Sequence, residues 1–285
     1  PYRLAHPELA DLPVVSPGGP GKTPNAEMVL QVDPDVIFAT YIDEQLAETL
    51  ETQTNTSVVV LSYGPLATFY TEELSESLLL AGRILDREKR AGRVVSFIRA
   101  TLEDLGNRTE DIPPGDRPSA YIGGIGYKGS HGIDSTDTSF PPFKAVNAYN
   151  VLENLETTGH VFIDKERLLE WNPDIIFVDE GGLELVKADY EKNPKFYESL
   201  KAYRQNHIYG TLPFNYYTTN IGTALADAYY IGKTLYPERF KEVDLEAKAN
   251  DIYEFLTGEP VYAEMREDFG GFGSIDLERG IVIDE

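Results

Sequence analysis

The stretch EMVLQVDPDVIFATY, residues 27–41, aligns without a gap on ERLLEWNPDIIFVDE, residues 166–180. Glutamate, leucine, proline, aspartate, isoleucine and phenylalanine coincide, and most other apolar positions match in kind. Each copy reads as an amphipathic helix, a turn at Asp-Pro-Asp or Asn-Pro-Asp, and a short apolar strand. Pro34 and Pro173 each stop a helix, because proline bars the residue before it from the right-handed helical region. The strands that follow are continuous apolar runs, as expected of parallel strands buried on both faces. A doubled helix–turn–strand element constrains the chain to two related α/β lobes.

Residues 71–105 lie between the copies with no proline or paired glycine to interrupt them. Thr71 suits an N-cap, Glu72 and Glu73 suit the positive end of a helix, and Ala91, Val94, Val95, Ile98, Leu102 and Leu105 keep helical spacing. One long helix, or two nearly continuous ones, is predicted to join the lobes, and a helical hinge is stiff. The predicted fold is therefore α/β, with two Rossmann-like lobes bridged by one long helix and a ligand cleft between them. Its divisions are an N-terminal lobe over residues 1–70, a connecting helix over 71–106, a C-terminal lobe over 107–240 and an extension over 241–285. Strands are expected at LPVVS, DVIFATY and SVVVLS in the first lobe, and at SAYIGGI, DIIFVDE and HIYGTLP in the second. The first lobe lacks an opening strand–helix unit, so the sequence is expected to begin inside a longer protein.

Composition removes several functions. The chain has no cysteine, which excludes disulfides, thiolate metal sites and cysteine nucleophiles. Its 48 acidic residues against 25 basic give a formal charge of −23, which disfavours nucleic acid and anionic membranes as partners. No run of about 18 apolar residues offers a membrane-crossing helix. The first residues carry neither a basic nor an apolar leader region, an absence that says nothing of compartment.

Familiar catalytic patterns fail on inspection. SPGGPGKT, residues 16–23, approaches a phosphate-binding loop, but Ser16 replaces the first glycine and Pro20 removes an amide the phosphate would need. No Gly-x-Ser-x-Gly elbow occurs. Ser130, His131 and Asp134 imitate a hydrolase triad in composition only, since neighbours in one loop do not present a base to a nucleophile. Four scattered histidines argue against a site of three or four imidazoles on a bare ion, while histidine with carboxylates stays open.

What remains is a set of loops that follow strands. They carry Tyr41, then Tyr127, Lys128, Ser130 and His131 in GYKGSHG, Glu180 in VDEGG, and Asn215, Tyr216 and Tyr217 in LPFNYYTT. Open α/β sheets bind ligands at such strand ends. Tyrosines there give stacking area with a hydrogen-bonding tip, suited to large or conjugated ligands. The glycines around His131 make a core role awkward for it, and it is the candidate metal ligand.

Together these features resemble the periplasmic binding proteins that feed ABC importers of iron–siderophore, haem and cobalamin. The resemblance covers about residues 10–240 and rests on the paired elements, the connecting helix and the closing HIYGTLPFNYYTTNIGTALADAYYIGKTLYP. It implies a monomeric, extracytoplasmic solute-binding protein, in the periplasm or tethered at the cell surface, that delivers a ligand to a permease. It implies no enzymatic activity and no catalytic cofactor. The expected ligand is an iron or cobalt complex (siderophore, haem or corrinoid), with His131 as an axial donor. Arginines that often meet siderophore oxyanions in the family are missing from these loops, where Lys128 is the only cation. A second reading keeps the fold and takes molybdate or tungstate, held by Lys128, Ser130, His131 and backbone amides. A third is a two-lobed enzyme with Glu180 near His131 as its base.

Overall fold

The computed structural model describes residues 1–18, 22–64, 71–215 and 218–284. The chain divides into two compact units: the described residues 6–64 and 71–96 form the first, and 1–5 and 97–284 the second.

In the first unit, helix Ala26–Val32 is capped by Asn25, whose side-chain oxygen accepts from the amides of Glu27 at 3.0 Å and Met28 at 3.2 Å. The helix ends where proline requires. Asp33, with φ 51°, turns left-handed and its amide bonds Val29 O, a geometry that aspartate and asparagine tolerate. Strand β1 (Ile37–Ala39) follows, then helix Glu44–Thr54, capped by Asp43, and strand β2 (Val58–Val60), parallel to β1. The predicted strand at Leu12–Ser16 does not form. Pro13 lies inside that stretch and Pro17 follows it, and each lacks the amide a ladder needs. The residues of β1 are half-buried, where burial on both faces was expected.

The connecting segment forms two nearly continuous helices, Glu72–Ile84 and Glu88–Thr109, the second of the two forms the sequence allows, in place of the single bridging helix. They meet at Asp86, which is left-handed at φ 56°. Thr71 caps the first as expected, its hydroxyl accepting from Leu74 N. The chain leaves the first unit within the second helix, between Ser96 and Phe97.

The second unit is organised by one sheet. Strands β3 (Ser119–Gly123), β4 (Ser135–Asp137), β5 (Tyr149–Asn150), β6 (His160–Phe162), β7 (Ile175–Asp179), β8 (Ile208–Thr211), β9 (Gly273–Asp276) and β10 (Ile281–Asp284) occur in chain order. Six of them form the sheet β10-β9-β8-β7-β3-β5, while β4 and β6 pair separately and antiparallel. From β8 to β5 the sheet is parallel. Every residue of β7 is buried, as a central parallel strand should be. Helix Lys165–Trp171 precedes it and stops at left-handed Asn172, whose amide bonds Leu168 O. The two copies of the repeat thus share their stop as well as their sequence.

Tyr121, Leu152, Leu168, Ile176, Val178, Val186, Tyr197 and Leu200 build the core of this unit. Helix Ile221–Leu235 is buried without interruption from Gly222 to Gly232. The tail, expected to be an extension, belongs to the second unit. Helix Leu245–Thr257 packs on Ile221–Leu235, and β9 adds antiparallel to β8.

Candidate functional site

The stretch between β3 and β4 is a glycine-rich loop folded back on itself. Gly124, at φ 73°, turns the chain out of β3, and its amide bonds Gly132 O at 3.0 Å. Tyr127 N reaches Gly129 O at 2.9 Å across a tight turn with Lys128 left-handed at φ 55°. Lysine has no side-chain bond of its own to favour that region, so the turn is held from outside. Two fastenings meet at Gly126 and a third at its neighbour: Asn215 Nδ2 donates to the Gly126 carbonyl at 3.1 Å, the Asp179 carboxylate accepts from its amide, and Ser135 Oγ donates to Ile125 O at 2.7 Å.

This loop presents a cluster of rings. Tyr127 stacks on His160 with centroids 4.3 Å apart and planes within 8°. Phe162 stands edge-on to His160 at 4.9 Å and to His131 at 5.0 Å, and the two imidazole centroids are 6.2 Å apart. Lys128 Nζ lies 5.3 Å from the Tyr127 ring centroid, a cation–π distance. Tyr127 and both histidines are half-buried, Lys128 and Ser130 are exposed, and Phe162 keeps 57% of its surface. Burial, then the nearby His131, lowers the His160 pKa below its ordinary value.

The hydrogen bonds fix which imidazole nitrogen is free. Ser135 has one hydroxyl proton and gives it to Ile125 O, so at 2.8 Å from His160 Nε2 it accepts. His131 Nε2 lies 2.9 Å from the carbonyl of Tyr127, which only accepts. Both neutral rings therefore carry their proton on Nε2 and keep a lone pair on Nδ1, the form that ligates a metal or receives a proton. Nitrogen-15 shifts of both imidazoles are expected to report the Nε2–H tautomer. A proton on Nδ1 of either ring would contradict the network.

The expected site residues are only partly brought together. Tyr127, Lys128, Ser130 and His131 share the loop. Tyr41 belongs to the first unit, left-handed at φ 59° and edge-on to Tyr63 at 5.3 Å. Tyr216 and Tyr217 lie outside the described residues. Two expectations are corrected. Asn215 is buried and fastens Gly126 instead of facing a ligand. Glu180 turns inward, where its Oε2 accepts from Gly271 N at 3.2 Å, and burial pushes its carboxyl up to about 8. It is thus engaged with the tail while His131 is engaged with Tyr127, and the proposed acid–base pair does not form. Sequence reasoning missed His160 and Phe162. Only the pairing of β4 with β6, with Asp137 opposite His160, brings them to the loop.

The profile of the periplasmic binding protein family matches residues 5–214. The chain belongs to that family. The resemblance carried by the doubled element therefore holds. Among curated proteins it is 26% identical over 253 residues to the molybdate-binding protein MolA of Haemophilus influenzae, covering 81% of this chain and 69% of that one. It is also 26% identical over 207 residues to the iron-uptake system-binding protein of Bacillus subtilis, covering 68% of this chain and 60% of that one. The chain thus spans well under the full length of the relatives it matches. Among solved structures, the TroA-like periplasmic binding protein FepB of Veillonella parvula superposes with a TM-score of 0.65 at 23% identity, over 89% of this chain and 77% of that one. That likeness establishes the fold.

Proposed function

We propose that this chain is an extracytoplasmic solute-binding protein that captures a metal complex, an iron complex foremost, and delivers it to the permease of an ABC importer. The observation that carries the reading is the platform of half-buried Tyr127, His131 and His160 with exposed Phe162. It offers flat aromatic area together with two imidazole lone pairs, which suits a conjugated or catechol-type ligand around a metal. Among the described residues no three histidine, aspartate or glutamate side chains gather to hold a bare ion. The metal then arrives in a coordination shell of its own. The likeness to an iron-uptake binding protein supports this reading.

A second reading, a metal oxyanion, is favoured by exposed Lys128 and Ser130 on the strained turn and by the likeness to MolA. Thermal unfolding with a ferric tris-catecholate, haem, cobalamin, molybdate and tungstate separates the two. A ligand at 100 times its dissociation constant adds about 2.7 kcal/mol of stability. A metal complex is expected to give that gain and to lose it in Tyr127→Ala and His131→Ala. An oxyanion is expected to lose it in Lys128→Ala while tolerating Phe162→Ala. A gain that survives all four substitutions would place the ligand elsewhere.

A further inference from the structure

Three carboxylates are buried together behind the candidate loop, and the ligand reading uses none of them. Asp179 ends β7, Glu180 follows it, and Asp227 lies on helix Ile221–Leu235. Their exposures are 3%, 7% and 0%. Each holds a different piece of backbone. Asp179 accepts from Gly181 N at 2.8 Å and from the amide of Gly126 in the loop. Glu180 accepts from Gly271 N in the tail. Asp227 Oδ1 accepts from Leu212 N at 3.2 Å, at the start of the segment that carries Asn215. The loop's two fastenings at Gly126 thus run to this cluster, one directly and one through the Leu212–Asn215 segment.

The cluster is short of partners. Glu180 Oε1 and Asp227 Oδ2 are buried without a hydrogen bond. Gly210 of β8 makes room for the Glu180 carboxyl, since a Cβ there would lie 2.5 Å from Oε1. Asp179 and Glu180 both push the Asp227 carboxyl toward its neutral form, and Asp179 does the same to Glu180. Tyr253, from helix Leu245–Thr257, faces both Asp227 and Glu180, and burial keeps its phenol protonated. Two adjacent charges here repel in a medium that screens them poorly. The first charge to form is tolerable, because the Asp179 carboxylate has two amides to meet it. A second, on Glu180 or Asp227, would have one amide to meet it and one oxygen with no donor, and would draw water in.

We propose that Asp179 is a positioning residue for the candidate ligand loop, and that Glu180 and Asp227 make its hold proton-linked: firm while the cluster carries at most one charge, loosened when a second forms. The proposal rests on the reading of the Gly124–Gly132 loop as ligand-holding, and its test separates the two. Amide exchange of Ile125, Gly126 and Tyr127, corrected for intrinsic rates, is measured without ligand at about pH 6 and about pH 9, on either side of the cluster's ionisation. Wild type is expected to lose protection by about tenfold or more, Glu180→Gln and Asp227→Asn each by less, and the Glu180→Gln/Asp227→Asn double variant least of all, because it alone keeps a single carboxyl and cannot form a second charge. Asp179→Asn is expected to lower protection at both values, with little further change between them. The affinities of a ferric tris-catecholate and of molybdate are measured in parallel. Affinity that falls with protection supports both readings. Protection that falls while a bound probe keeps its affinity leaves the loop-holding role standing and removes the ligand from the loop. Equal protection at both pH values, or a loss in the double variant as large as in wild type, overturns the proposal.

Discussion

Gly182→Ala is expected to destabilise the protein by about 3 kcal/mol or more, at the upper end of overpacking substitutions. The glycine opens helix Leu183–Lys192 directly behind the candidate loop, and it is buried. A Cβ placed on it would press into the backbone carbonyls of both Gly124 and His131, and would stand 2.8 Å from Gly124 Cα. All three atoms are main chain, so no rotamer change relieves the contact. Either the helix start or the loop must move, and the loop is already pinned by Asp179, Asn215 and Ser135. Binding at the platform is therefore expected to fall together with stability. Gly132→Ala is the matched comparison, because it lies in the same loop and its Cβ would meet only Asp134 Oδ1, at 3.3 Å. Urea midpoints of the two variants decide the matter. Equal midpoints would mean that the close approach at Gly182 does not constrain the fold.

How much of this was legible in the sequence depends on how local the cause is. The helix stops at Asp33 and Asn172 were legible, because the steric bar imposed by Pro34 and Pro173 acts on the adjacent residue. So was β7, whose apolar run needs no partner to declare itself. The strand imagined at Leu12–Ser16 fails because its two valines sit between prolines, and apolarity alone was read as pairing. A break in the connecting segment was left open, but its place at Asp86 was not legible, because nothing at Leu85–Arg87 is a helix breaker by composition; it goes with how the two helices pack. Gly82 shows that packing, since a Cβ on it would stand 2.5 Å from Ala91 Cβ.

The site divides along the same line. The loop bearing Tyr127, Lys128, Ser130 and His131 was visible as chemistry set among glycines. His160 was not, since a three-residue strand pairing with β4 leaves no periodic signal, and the pairing alone places its ring on Tyr127. Glu180 and Asn215 were read as ligand-facing because they follow strands. A strand end supplies residues that turn inward as well as outward, and the direction is set by what needs a partner: the Gly271 amide for Glu180, the Gly126 carbonyl for Asn215. The tail seemed chemically mute because its role is architectural. It extends the sheet beside β8 and closes over the buried carboxyls.

Those carboxyls give the second large effect, on global stability. Burial raises Asp179 to about 7 and Glu180 to about 8, and Asp227 is raised as well, by burial and then by its two acidic neighbours. In the unfolded chain such groups titrate near about 4. Between about pH 4 and about pH 8 the native state therefore binds more protons than the unfolded one, and the free energy of unfolding falls as pH rises. The stability the cluster contributes is full below about pH 4 and is lost as pH passes through the raised values. A tenfold difference in proton affinity between the native and unfolded states is worth about 1.4 kcal/mol, so the loss across that window is on the order of 4–8 kcal/mol. Other groups act elsewhere or weakly. Ion pairs hold Asp174 with Lys201 and Asp189 with Lys165 below their ordinary values, so their contribution fades only in stronger acid. His160, lowered by burial, works in the opposite direction near neutrality with a single half-buried ring. Buried Asp137 is raised and adds to the decline. Urea unfolding at about pH 5 and about pH 8 is thus expected to show a markedly less stable protein at the higher value, and Asp227→Asn to recover much of the difference by relieving its neighbours. Stability that is flat or rising between the two would mean that water or a counter-ion reaches the cluster and lets its charges form at ordinary pH.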